Sequence, residues 1–186
     1  MAIDIDDVFA GIKDAKARVD ANYIRPGHYI CVVRKAKLDK NRKKKIFFAL
    51  EMTVLECIHA DNIDRAHRPG EDVSHLLMEE WDGFLPDVKA LLSSLLVCPE
   101  DDIDVAACKL VVGDSQPLEH VIVEVKARNK VTNNDKDFTI VRYERVLSDE
   151  EVLERYSTDF LLGHKVEVEG MDEAEEEGED GTESED

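Results

Sequence analysis

Eight basic side chains crowd into twelve residues: Arg34, Lys35, Lys37, Lys40, Arg42, Lys43, Lys44 and Lys45, against the single acid Asp39. A cluster of that density points to a polyanion, because each cation can neutralise a phosphate and release its counterions. Binding single strands without sequence preference needs a second ingredient, flat side chains on which bases stack. Tyr29 and Phe47 flank the cluster. Lys126, Arg128 and Lys130 alternate along a later stretch, Arg142 and Tyr143 lie side by side in another, and Trp81 stands alone. Lys35, Lys37, Lys40, Arg42, Lys43, Lys44 and Lys45 with these residues form the candidate nucleic-acid interface. Other roles suit some of them: Tyr29 and Tyr143 fit a core or its rim, Trp81 a core anchor, and lysine-rich turns are common solvated loops.

The overall balance hides this cluster. The chain holds 43 acids and 24 bases, a net charge of −19. Twelve acids lie between Glu167 and Asp186 with no base among them; without these the remaining 166 residues hold 31 acids against 24 bases. A local excess of cations on an acidic body is the asymmetry expected of a polyanion binder.

Several classes find no support. No stretch approaches 18 apolar residues, so no membrane span is expected. The acidic start, Met1 to Asp7, lacks the basic-then-apolar order of a signal peptide, so a cytoplasmic location is expected. Cys31, Cys57, Cys98 and Cys108 are scattered through apolar runs and read as buried free thiols rather than metal ligands. His59, His67 and His75 are evenly spaced without a cysteine pair or carboxylate cluster, so no metal and no cofactor are expected. No phosphate-cradling glycine loop, HExxH or Gly-x-Ser-x-Gly occurs. Glu100, Asp101, Asp102 and Asp104 are the one acidic group that could hold magnesium, but acids also suit a helix start. The expectation is a protein that is not an enzyme.

The elements that must position the candidates follow from period and punctuation. Val8, Ile12, Ala15 and Val19 fall on one face of a helix over 6–19. A strand follows the Arg25-Pro26-Gly27 turn, and a basic hairpin loop over 39–44 leads to a second strand over 45–57. There Phe48, Leu50, Met52 and Val54 share one face, leaving Phe47, Ala49, Glu51 and Thr53 on the other. A third strand spans 73–78. A helix begins near Pro86 with a stripe of Val88, Leu91, Leu92, Leu95 and Leu96, and a short helical patch is expected over 102–111. Strand four covers 121–128; a turn at Asn133-Asn134-Asp135 leads to strand five over 138–146. Strand five is apolar on both faces, which leaves open whether Arg142 or Tyr143 faces the groove. Ser148 and Glu151 form a capping box for a helix over 148–163. The composition of 167–186 predicts a disordered acidic tail. Five strands with a helix between the third and fourth, framed by terminal helices, predict a mainly β OB-fold, a five-stranded Greek-key barrel. A small α+β sheet also fits that order. The organisation is an N-terminal helix in 1–22, the OB domain over 23–147, the C-terminal helix over 148–163 and the tail.

Gly27 to Val33, Ile46 to Leu55, Pro69 to Ser74, Val88 to Leu96 and Lys136 to Tyr143 together resemble the OB-fold single-stranded-DNA-binding proteins encoded by tailed bacteriophages. The similarity spans roughly residues 25–147. It implies binding and protection of single strands in phage DNA replication or recombination, in the host cytoplasm. It also implies contacts of the acidic tail with replication or recombination proteins. The tail ends Glu183-Ser184-Glu185-Asp186 rather than in the apolar tip common there. Single-stranded DNA is the expected partner, with RNA possible. The alternative is an acidic assembly or chaperone-like module that binds basic proteins.

Overall fold

Tyr29 to Val33 is an unbroken apolar run, and all five residues are buried because the strand that carries them has a core on each face. The structure is a computed structural model that describes residues 22–131, 137–166 and 168. The helix expected over 6–19, the turn at 133–135 and the acidic tail beyond 168 lie outside the described residues.

The strands are β1 (Gly27–Lys40), β2 (Ile46–His59), β3 (Asp72–Met78), β4 (Ile122–Val131) and β5 (Asp137–Val146). They form one sheet in the order β3-β2-β1-β4-β5, and every neighbouring pair is antiparallel. Helices α1 (Phe84–Leu96) and α2 (Val105–Val112) connect β3 to β4, and α3 (Asp149–Arg155) and α4 (Thr158–Gly163) follow β5. Register shifts in the β1–β2 pairing at His28/Tyr29, Ile30/Cys31 and Val33/Lys35 bend the ribbon.

On the inner face Tyr29, Cys31 and Val33 pack with Phe48, Leu50, Met52, Val54, Val123 and Val125. The α1 stripe of Val88, Leu91, Leu92 and Leu95 joins the same core, as its helical spacing requires. On the outer face Ile30, Val32, Leu55 and Ile122 meet Leu147, Val152, Leu161 and Val166. The C-terminal helices therefore lie on the sheet. The single helix expected over 148–163 is in fact two. Ser148 and Glu151 close the capping box of α3, and Ser157 Oγ accepts from the Phe160 N–H at 3.3 Å to start α4. Arg155 and Tyr156 anchor the turn between them on Glu56, by two guanidinium bonds of 2.8 Å and a hydroxyl bond of 3.0 Å.

The expected closed barrel is not formed. No backbone ladder joins β3 to β5 among the described residues. Other groups fill the seam, since bare strand edges expose unpaired backbone. Asn22 to Ile24 run along β3: Ser74 N donates to Asn22 O at 2.8 Å, and Ile24 N to Ser74 O at 3.2 Å. Helix α1 packs against both edge strands. Deeper in, the Tyr143 hydroxyl and His75 Nδ1 share a hydrogen bond of 2.8 Å, joining β5 to β3 by side chains alone. A slot of about 460 Å³ remains beside them, lined by Leu77, Leu91, Ser94 and Val141 among others.

Burial holds the His75 imidazole neutral, with its pKa pushed down to about 4, and raises that of the Tyr143 phenol. In the unfolded chain a histidine takes up its proton near pH 6.5. The unfolded state thus binds the extra proton first as the pH falls, and this group's stability is present above about 6.5 and lost towards 4. The unfolding free energy in urea is expected to drop by on the order of 3 kcal/mol over that window. His75→Gln should flatten that limb; an unaltered limb would show the ring is not held neutral.

Candidate nucleic-acid interface

The hairpin joining β1 to β2 is locked by one short side chain. Asn41 Oδ1 accepts from the backbone N–H groups of Lys43 and Lys45 at 2.9 and 3.1 Å, and Lys44 adopts the left-handed φ of 62°. An asparagine that holds its own turn in this way leaves the following side chains to project outward. Lys40, Arg42, Lys43, Lys44 and Lys45 are all exposed. Lys45 reaches Glu80, two residues beyond β3, and Lys37 pairs with Glu51 across the β1–β2 ladder. Lys35, Lys40, Arg42, Lys43 and Lys44 have no carboxylate within ion-pair distance among the described residues. Five uncompensated cations thus stand along the end of β1 and its turn. A shallow recess of about 410 Å³ opens between Asn41, Arg42, Lys43, Lys45 and Glu80.

The aromatic candidates divide. Phe48 is in the core, so Phe47 points to the opposite face; it is half-buried, across from Asp39 on β1 and Met78 on β3. Ala49 and Thr53, expected beside it on an open platform, are buried. Trp81, a few residues beyond β3, is 37% exposed rather than a core anchor. Tyr29 is no stacking surface. It is fully buried, its hydroxyl donates to Pro26 O at 3.1 Å, and a Cβ at Gly27 would meet the Tyr29 hydroxyl oxygen at 2.4 Å. Tyr143 likewise faces inward onto His75, which leaves Arg142 as the outward residue of the pair.

Lys126, Arg128 and Lys130 are exposed on β4, with Arg142 opposite Lys126 on β5. They do not join the hairpin in one groove. β4 pairs with the first half of β1, from Gly27 to Val32, whereas the hairpin follows its last residue. Helices α3 and α4 cover the outer face between these ends.

Arg34, counted with the basic run, has a structural post instead. Its guanidinium donates to Thr53 Oγ1 at 2.9 Å, to Lys165 O at 2.7 Å and to His164 O. It holds the carbonyls at the C-terminal end of α4, where a cation is favoured. The sequence shows the charge but not the partners, two of which lie about 130 residues on. The loop over 39–44 was legible as a turn; the two hydrogen bonds by which Asn41 holds its backbone were not.

The three evenly spaced histidines serve separate ends. His67 is buried between Glu71, at 2.8 Å, and the Arg25 backbone N–H, at 3.0 Å; His75 meets Tyr143; His59 is exposed beside Asp61. Of the acids at 100–104, Asp104 caps α2 by accepting from the Ala107 N–H at 2.8 Å. Cys31 is buried, which raises its thiol pKa, while Cys57, Cys98 and Cys108 are half-buried rather than buried. Among the described residues no helix is long and apolar enough to cross a membrane. Compared with known proteins, the chain matches no family model and no curated protein.

Removing Arg34 leaves two carbonyls and a hydroxyl without their donor. Arg34→Ala is expected to cost about 1–3 kcal/mol in urea unfolding. Lys43→Ala, at an exposed position with no carboxylate in ion-pair reach among the described residues, should stay within about 0.5 kcal/mol of the parent. Equal effects would contradict the separation of structural from free cations.

Proposed function

We propose that the protein is a non-enzymatic module that binds and protects single-stranded nucleic acid, DNA foremost, in replication or recombination. The observation that carries this reading is the hairpin, with five cations lacking counter-charge among the described residues on a body that is otherwise acidic. Half-exposed Phe47 stands on the strand leaving the turn, and Trp81 follows the Glu80 that Lys45 engages, so ring faces lie near the cations. Cations that track phosphates and rings that stack bases are what sequence-tolerant binding needs. The antiparallel order β3-β2-β1-β4-β5 supports an OB-type reading, since closing β3 onto β5 would complete such a barrel. The phage-type resemblance of residues 25–147 points the same way.

The tail regulates or recruits in this reading. Residues 169–186 carry eleven acids and no base. They follow the segment that Arg34 pins beside β1, six residues before Lys40, about 20 Å along the strand. In this reading the carboxylates of 169–186 compete with phosphate for the hairpin. Deleting 169–186 is expected to tighten binding of single strands; unchanged affinity would leave the tail a recruiting or solubilising role.

Affinity should fall steeply with salt. Each phosphate neutralised on a single strand contributes about 0.7 to the logarithmic slope, so replacing Lys40, Arg42, Lys43 and Lys44 by alanine should flatten it by about 2–3. Phe47→Ala should cost about 1–3 kcal/mol of binding with the slope intact. An unchanged slope in the fourfold variant would remove the hairpin from the interface.

One observation favours the second reading, an acidic assembly or chaperone-like module. Val97, Val105 and Leu110 are 75, 70 and 55% exposed on and before α2, near the acids Glu100, Asp101, Asp102 and Asp104. Such a module would bind basic proteins and leave oligothymidine unbound.

A further inference from the structure

The cations of β4 and β5 converge at the opposite end of β1 from the hairpin. Lys126, Arg128 and Arg142 line a recess of about 300 Å³ with His28, His59, Asp61 and Glu144. Lys126 and Arg142 are register partners, and Arg128 stands two residues along the same strand face. Part of this charge is answered locally: His28 Nε2 lies 2.6 Å from Glu124, Lys126 3.3 Å from Glu144, and His59 3.6 Å from Asp61. Arg128 and Arg142 have no carboxylate within ion-pair distance among the described residues. Two exposed guanidiniums beside an ammonium, around a concavity, present fork-shaped donors that match a phosphate.

We propose that this recess is a second phosphate subsite, so that one single strand is held at both ends of β1 across the C-terminal helices. The proposal rests on the reading of the hairpin as a nucleic-acid interface and extends it to a bipartite site. β1 has 14 residues. Its ends are separated by at most about 45 Å at 3.3 Å per residue, less where the bulges bend it. Between them the apolar outer face is occupied by Val152, Leu161 and Val166, so the strand passes over α3 and α4 rather than along the sheet. An oligonucleotide too short to span takes one patch at a time. One that spans binds bivalently, and linkage of this kind raises affinity by about 10²-fold or more without any new type of contact.

The test is fluorescence anisotropy on the full chain with oligothymidines of about 4, 8 and 16 nucleotides, the range of sites found on OB-type domains. The parent should show a step of at least about tenfold between the shortest and longest oligomers. Arg128→Ala/Arg142→Ala should abolish that step while leaving the shortest oligomer within about twofold, since the hairpin patch is intact. Arg128→Glu, a single surface change, should act in the same direction, and thermal melts of both variants establish that they fold. A step that survives in both variants, or an equal loss at every length, overturns the second subsite and leaves the hairpin reading standing. A parent that binds none of the oligomers overturns the hairpin reading and this extension together.

Discussion

Strand β1 is buried on both faces through its middle, and the rest of the molecule is arranged around that constraint. Tyr29, Cys31 and Val33 face one core, and Ile30 and Val32 face the other. Burying both sides of a strand demands a cover on each, so the sheet curls over α1 on the inside while α3 and α4 lie on the outside. With its centre committed, β1 can display charge only at its ends. His28, beside the recess of Lys126, Arg128 and Arg142, marks one end; Lys35 to Lys40 and the hairpin mark the other.

The open seam follows from the same packing. Helix α1 lies against both edge strands where direct β3–β5 pairing would otherwise form. A neutral imidazole and a phenol then join what the backbone leaves apart. Arg34 is the counterpart on the outer face. It sits at the last bulge of β1 and ties the end of α4 to the strand, converting one charge of a basic run into a structural bond. The next residue, Lys35, is exposed and has no carboxylate within ion-pair distance among the described residues. One residue thus separates the cation that holds the fold from the first that is free to meet a ligand.

Much of this was legible in the chain. The period-two face of Phe48, Leu50, Met52 and Val54 is core throughout, because a strand with one apolar face admits one orientation. The α1 stripe and the Ser148–Glu151 capping box also stand as their spacing implied. Legibility failed where periodicity is silent. A continuous apolar run such as Tyr29 to Val33 has no polar face to orient it, so the inward turn of Tyr29 depends on the second core. Tyr143 was ambiguous for the same reason. The break between α3 and α4 hangs on Ser157 acting as a cap, a role that a serine within a helical pattern does not announce. The ion pairs Lys37–Glu51 and Lys45–Glu80 need the β1–β2–β3 register before either can be named. The division of the cations into two patches needed the position of the C-terminal helices.

The central proposal is that exposed cations with no carboxylate in ion-pair reach among the described residues, close in the chain to half-exposed Phe47, serve an unpaired strand. The most direct measurement is a gel shift with matched single- and double-stranded oligonucleotides of one sequence at one salt concentration. The account predicts retardation of the single strand at far lower protein concentration than of the duplex. Equal retardation of both, preference for the duplex, or no retardation of either would contradict it.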